Sequence, residues 1–286
     1  MNPLSETAER TDVLRDFSLE MTGKDIAGLE DAHPAIPAGT RVNITFLGNE
    51  DPKLRLDAAR AVRRLGFVPV PHISARRLPT RQALEQYLDG LRADGTGEEV
   101  FVIGGDPSSP HGPYPDALSI IRSGLLQKHG VRHVGISGYP EGHPAIADHA
   151  LWGALADKQA ELEAQGLTGS IITQFAFDVD AVLSWVRQVR EIGIELPVRV
   201  GVPGPAGIRR LMTYAARFGV GTSTSIAKKY GFSLANLMGT AGPDKFLKGL
   251  SANRDPAVHG DVKVHFYTFG GLKATAEWAA RFQEEG

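Results

Sequence analysis

A (β/α)8 barrel is the fold this sequence predicts, and three observations carry that expectation. Eight short apolar, β-branched runs occur along the chain, and segments of helical period lie between nearly all of them. The length, 286 residues, accommodates the ~250 residues typical of that fold. The runs are DFSLE (16–20), RVNITFL (41–47), FVPVPHI (67–73), EVFVIGG (99–105), VRHVGIS (131–137), SIITQFAF (170–177), PVRVGV (197–202) and VKVHFYTF (262–269). Most are apolar on both sides of the alternation, as parallel strands are when helices cover one face and the other packs inward. A doubly wound open sheet is the competing fold, but no run is followed by GxGxxG or a Walker loop.

The helices follow from periodicity and stop signals. In KLRLDAARAVRRL (53–65), Leu54, Ala58, Ala61, Val62 and Leu65 share one face, and Gly66 ends the segment. A second helix starts at Thr80 and ends before DGTG (94–97). Others are expected near 115–129, 148–165, 178–192, 205–218 and 273–284. Between 219 and 261 the pieces GTSTS, AGPDK and SANRDPAVHGD break the pattern, which reads as extra short helices before the last strand. The expectation is one catalytic barrel domain over 1–286, with residues 1–15 as a flexible N-terminal extension.

Composition narrows the function. Lys and Arg total 31 against 33 Asp and Glu, a net charge of −2 without blocks of like charge, so no nucleic-acid footprint is expected. No apolar run approaches the ~18–20 residues of a membrane span, and the polar, acidic start MNPLSETAERTDVLRD does not fit a signal peptide. The absence of cysteine removes disulfides, thiolate metal sites and cysteine nucleophiles together. A cytoplasmic protein is the expectation. HExxH and GxSxG are absent as well, so neither a zincin-type metal site nor a serine nucleophile elbow is predicted.

In a barrel, function sits at the C-terminal ends of the strands. Those ends carry Glu20, Thr45, His72, Gly104-Gly105-Asp106, Tyr139 with Glu141 and His143, Gln174, Pro203 and Tyr267. Any one of these could simply be a polar residue leaving the core. Together, the carboxylates, two histidines and an amide on one rim favour a site. Glu20 stands among Phe17, Leu19 and Met21, a context suited to a general acid, or it merely opens the polar loop TGKD. Gly104 and Gly105 allow a flat ligand close to the backbone before Asp106, although GGDP is also ordinary turn chemistry. His72 in PVPHIS reads as a ligand contact or as a core histidine. Gln174 in ITQF is a buried amide that needs partners. Two phosphate-binding candidates are GVPGPAG (201–207) and GVGTSTS (219–225).

PHIS, GGDP, GYPEGHP, ITQFAFD and HFYTF, in this order and spacing, resemble the flavin-dependent methylenetetrahydrofolate reductases over about residues 16–270. The resemblance implies a (β/α)8 barrel that interconverts 5,10-methylene- and 5-methyltetrahydrofolate. It also implies FAD as cofactor and NADH or NADPH as co-substrate. By resemblance Glu20 is the acid that protonates folate N10, and Asp106 holds the pterin and supports charge on the five-iminium cation. Gln174, with Phe175, contacts folate and nicotinamide in turn. Thr45, His72, Gly104, Gly105, Asp106, Tyr139, His143 and Lys158 match the flavin side. Members of the family are often homo-oligomers, and nothing in the sequence points to an interface.

The sequence departs from that pattern at identifiable places. Glu20 is followed by MTGKD in place of aromatics, prolines and an arginine, and Gly104 stands where arginine is common. The helix after YPEGHP usually offers an acid, an asparagine and a basic pair to the FAD ribose and diphosphate. Here those positions are Trp152, Leu155, Lys158 and Gln159, and only Lys158 keeps its character. FGG follows HFYT where arginine is frequent. The alternatives are therefore a reductase that transfers hydride directly without flavin, or a non-redox methyl-folate-binding or methyltransferase-associated barrel.

Overall fold

The structure, a computed structural model, describes residues 13–48, 50–219 and 240–285. Eight parallel strands close into a barrel: β1 Ser18–Met21, β2 Arg41–Ile44, β3 Val68–Ser74, β4 Glu99–Ile103, β5 His133–Gly138, β6 Thr168–Phe175, β7 Val198–Pro203 and β8 Val262–Tyr267. They run in sequence order round the barrel, and β8 closes on β1 through Ser18 opposite His265. The helices are α1 Ile26–Ala32, α2 Pro52–Arg64, α3 Arg81–Ala93, α4 Ala117–Ile121, α5 Leu125–Lys128, α6 Asp148–Ala164, α7 Val179–Glu191, α8 Ile208–Phe218, α9 Asp244–Asn253, α10 Pro256–His259 and α11 Leu272–Glu285. The chain is a TIM barrel, as the alternation of runs predicts. Among the described residues no helix is long and apolar enough to cross a membrane.

Local chemistry explains most boundaries. Asp51 caps α2 by accepting from the Lys53 amide, with Pro52 in the first turn, and Thr80 caps α3 through the Ala83 amide. Two expectations differ. The helix expected over 115–129 is two short ones, interrupted at Arg122–Gly124, and Asp116 caps the first. Sequence patterning does not announce helix α1, because seven residues followed by Pro34 and Pro37 carry too little periodicity. Of the irregular stretch before β8, α9 and α10 are the short helices expected; GVGTSTS lies, apart from Gly219, outside the described residues.

Strand alternation sorts the core. Leu19, Val42, Ile44, Val100, Val102, Val134, Ile136, Val198, Val200, Val264 and Phe266 are all fully buried and face the helix layer, each contributing on the order of 1.5–3 kcal/mol through burial. The opposite set fills the barrel. Its middle is Val70, Phe101 and Ile172 packed with Ile103. Its N-terminal end is closed by charge: Arg41 bonds Glu99 at 2.8 Å and Asp16 at 3.0 Å, and Arg199 bonds the same Asp16 carboxylate at 2.7 Å. A plug at that end leaves the C-terminal mouth as the open one.

Candidate active site at the barrel mouth

Glu20 leaves β1 pointing into the mouth, with its side chain 20% exposed. Its neighbours are not the Phe17, Leu19 and Met21 of the sequence; Leu19 and Met21 point to the opposite face, buried in the helix layer, and Phe17 packs edge-on against Phe266. Instead a carboxylate oxygen lies 3.8 Å from His265 Nε2. The other ring nitrogen of His265 shares a 2.9 Å hydrogen bond with the Ser18 hydroxyl. The backbone is pinned too, because the Thr268 hydroxyl donates to the Glu20 carbonyl at 2.6 Å. Glu20 is thus a polar-pocket carboxyl held from beneath by histidine, and not the apolar-pocket carboxyl that linear context suggests.

Tyr267 stands beside it on β8. Burial pushes its phenol well above the usual range, and the nearby Glu20 and Tyr139 push in the same direction. Its hydroxyl donates to the Thr173 carbonyl at 3.0 Å. That bond holds an irregularity in β6, where the register with β7 shifts between Ile172 and Phe175. Thr173 Oγ1 accepts from the Gly201 amide at 2.8 Å. A Cβ at Gly201 would run into the Thr173 carbonyl oxygen and sit 2.8 Å from the Tyr267 ring, so only glycine fits there. A bulge re-aims a side chain, and here the residue it re-aims is Gln174, whose Oε1 accepts from the Phe175 amide at 3.1 Å. Phe175 itself turns away from the mouth. It is 1% exposed and packs edge-on against Tyr267 and Phe269, so it supports the ring from behind and does not face a ligand.

Across the mouth, β2 and β3 present a row of buried polar atoms that have no hydrogen-bond partner: Asn43 Oδ1, Thr45 Oγ1, His72 Nε2 and Ser74 Oγ. Such atoms are rare in native structures because each costs on the order of 1–3 kcal/mol. Burial, with His265 nearby, pushes the His72 imidazole down to about 3, so it faces the mouth neutral, with its ring 4.8 Å from Phe101. Gly105 extends this wall at φ +93°, and a Cβ there would collide with Ser74 Oγ.

Asp106 follows, largely exposed, and Arg77 binds it through Nη2 at 2.5 Å and Nε at 2.8 Å. Partial burial works to raise this carboxyl, but the Arg77 hydrogen bond and charge, helped by Arg217, hold it below the usual carboxylate range. Tyr139 and His143 close the ring at β5, with their rings edge-on at 5.2 Å. Burial pushes the Tyr139 phenol up and the His143 imidazole down.

The structure therefore gathers Glu20, Thr45, His72, Gly104-Gly105-Asp106, Tyr139, His143 and Gln174 at one mouth, and adds Asn43, Ser74, Arg77 and His265, which sequence reading missed. For Asn43, Ser74 and His265 the signal was present in strand alternation. Arg77 sits in a short 3-10 turn after β3 and offered none. Lys158 is placed apart from the ring. It is buried on α6, where burial pushes its ammonium down to about 8 against the pull of Asp116. No group of three or more His, Asp or Glu side chains among the described residues is placed to hold a metal ion.

An FAD molecule has two halves to satisfy. The flat ring half fits, because the unpaired atoms on β2 and β3 and the open wall at Gly104–Gly105 suit a heterocycle with its own donors and acceptors. The ribose–diphosphate half finds few polar groups at the α6 positions where the family pattern places them, as the departures in the sequence lead one to expect. Trp152 stacks on Trp185 at 5.9 Å and 29°, and Leu155 is 3% exposed in the core. Gln159 is turned to the next loop, donating to the Gly193 carbonyl at 3.3 Å and accepting from the Glu195 amide at 3.0 Å. Of the four positions, Lys158 alone keeps a cationic group, and it is buried on α6.

A parallel barrel whose plugged end is structural and whose open end joins a carboxyl, a histidine pair, an amide and an Asp–Arg pair has the build of a barrel enzyme. Residues 39–219 match the family model for methylenetetrahydrofolate reductase, and the chain belongs to that family. It is 28% identical over 160 residues to methylenetetrahydrofolate reductase 2 of Saccharomyces cerevisiae, covering 53% of this chain and 25% of that protein. It is 25% identical over 146 residues to methylenetetrahydrofolate reductase (NADH) 1 of Arabidopsis thaliana, covering 46% and 24%. The maize protein of the same name is 27% identical over 171 residues, covering 54% and 28%. The chain thus aligns with only about a quarter of the length of these relatives. Among solved structures, dihydropteroate synthase from Thermus thermophilus superposes over 94% of this chain and 92% of its own at a TM-score of 0.49 and 14% identity, too loosely to bear on function. Glu20, His265 and Tyr267 lie outside the segment matched to the family, so their parts rest on geometry.

Proposed function

We propose that this chain interconverts 5,10-methylene- and 5-methyltetrahydrofolate, with a reduced nicotinamide nucleotide as hydride donor. The observation that carries the reading is the mouth itself: Glu20 above His265 on one side, and unpaired Asn43, Thr45, His72 and Ser74 atoms opposite. A pterin, rich in donors and acceptors, satisfies that row. Gln174 and the Asp106–Arg77 pair orient it. Glu20 gives its proton to N10 as the N10–methylene bond breaks, leaving the five-iminium cation. The nicotinamide passes hydride to the methylene carbon, forming the methyl group and oxidised nucleotide. The names of the plant relatives support NADH as that nucleotide.

No step is routed through FAD, because α6 does not match its diphosphate half. A second reading, in which bound FAD carries the hydride between nucleotide and folate, is favoured by the ring-shaped half of the site. The discriminating experiment follows NADH oxidation by purified protein with methylenetetrahydrofolate, with and without added FAD, together with the visible spectrum. Turnover by a colourless protein without FAD is expected. Turnover only with FAD establishes the second reading, and no turnover of either folate leaves a non-redox folate-binding barrel.

Asp106→Ala is expected to raise KM for the folate by about 10- to 100-fold, the loss of one charge-assisted contact of about 1.5–3 kcal/mol, while KM for NADH stays within about twofold. Steady-state kinetics with each substrate varied in turn checks this. An unchanged folate KM removes Asp106 from the site.

A further inference from the structure

Two adjacent arginines in the turn after β3 hold the loop after β4, and they do it differently. Ala75–Arg77 form one turn of 3-10 helix. The Arg76 amide donates to the Gly104 carbonyl at 2.9 Å, and the Arg76 carbonyl accepts from the His111 amide at 2.8 Å. Its side chain adds two bonds, Nε to the Pro115 carbonyl at 2.7 Å and Nη1 to the Pro107 carbonyl at 3.3 Å. Arg76 therefore fixes the path of the loop through its backbone.

Arg77 fixes a side chain instead. Its Nη2 and Nε both reach Asp106 Oδ1, at 2.5 and 2.8 Å. The two donors converge on one carboxylate oxygen, so Arg77 leaves Oδ2 to a ligand. The arginine side chain is 16% exposed and the carboxylate 72%, which puts the cation beneath and the acid on the open side. An exposed ion pair is weak on its own, because solvent screens it and ordering two side chains costs entropy. Here the guanidinium is already held. It lies against Gly48 in the loop after β2, where an added Cβ would run into it. The backbone at Gly48 is not left-handed, so glycine serves there for space and not for conformation. At Gly104, by contrast, an added Cβ meets nothing within 4 Å. The chain has room for the arginine that the resemblance leads one to expect there, and brings a guanidinium from residue 77.

Resting on the reading above, we propose that Arg77 is a positioning residue for the folate: packed on Gly48, it turns Asp106 so that Oδ2 meets the pterin, and it acts on the substrate only through Asp106. The ring N–H and amino group of a pterin are donors. A carboxylate locked from behind accepts them without losing side-chain freedom on binding. An arginine at a barrel mouth can also serve as an anchor for a nucleotide diphosphate, and the test separates the two roles.

The test is a double-mutant cycle between Arg77→Gln and Asp106→Ala on the full chain. Its readouts are KM for methylenetetrahydrofolate, KM for NADH and the calorimetric Kd for 5-methyltetrahydrofolate. Arg77→Gln is expected to raise the folate KM and Kd about 3- to 30-fold, but less than about twofold once Asp106 is alanine, as groups acting in series do. KM for NADH stays within about twofold throughout. Gly48→Ala keeps both charges and displaces the guanidinium, so it should reproduce the folate loss, again only while Asp106 is present. Melting temperatures within a few degrees of the wild type separate positioning from unfolding. A folate loss that persists in full without Asp106 overturns the proposal, as does a loss that falls on NADH or no loss at all. An unchanged Gly48→Ala overturns the part given to Gly48. A coupled loss of 5-methyltetrahydrofolate binding in a protein without turnover supports the positioning role and sinks only the reductase. Turnover with an additive cycle does the opposite, and a wild type that binds no folate overturns both.

Discussion

Glu20→Gln is expected to slow folate reduction by about 10²–10⁴-fold, the usual worth of a positioned general acid, with NADH affinity unchanged within about twofold. Glutamine keeps the size of the side chain, and its backbone carbonyl keeps the bond from Thr268, so the mouth should retain its shape. What goes is the proton aimed at N10 and the partner 3.8 Å from His265. The loss should appear in single-turnover rates with the folate in both directions, since the group that protonates N10 in one direction must accept its proton in the other. Thermal melting of the variant within a few degrees of the wild type separates chemistry from folding. A loss smaller than about threefold, or an equal loss in NADH binding, sinks the acid role.

The second large effect concerns acid stability. His72 is buried at 4% exposure with Nε2 unpaired, and burial, then His265, push it down to about 3. An unfolded chain protonates the same imidazole near its ordinary value of about 6.5. The folded pKa is therefore depressed, and below about pH 6.5 the unfolded state binds the extra proton. The stability this neutral histidine contributes is complete above pH 6.5 and is lost as pH falls from 6.5 towards 3. The slope approaches about 1.4 kcal/mol per pH unit and the total is on the order of several kcal/mol. Urea unfolding at a series of pH values should show His72→Gln flatter than the wild type across that window by up to one proton. His133 is also depressed by burial, so the difference between the two proteins, not the wild-type slope alone, is the readout. Parallel curves would mean that His72 is protonated in the folded mouth.

The barrel was legible because its signals are local and repeated. Eight apolar runs and the helical periods between them announce a parallel sheet covered by helices, and alternation then decides which side chains enter the barrel. The site was legible as a set of strand ends, since barrel closure brings the ends of β1, β3, β4, β5 and β6 to one rim whatever the details. Alternation could also have found His265, two residues before Tyr267 on the same face of β8. Linear context misled for Glu20, whose apolar sequence neighbours face the other side of the sheet. Phe175, a ligand contact by the family resemblance, is turned into the core by the bulge at Thr173–Gln174.

The sequence by itself determined the closed parallel barrel and the rim on which its polar residues meet, because period, strand ends and glycine placement are properties of short segments. Only the tertiary structure decided which groups face each other. Arg77 reaches Asp106 across 29 residues, His265 lies under Glu20 from the far end of the chain, and Gln159 of α6 is engaged by the Gly193 carbonyl and the Glu195 amide of the next loop. Those pairings depend on distances between segments remote in sequence, which no local pattern encodes.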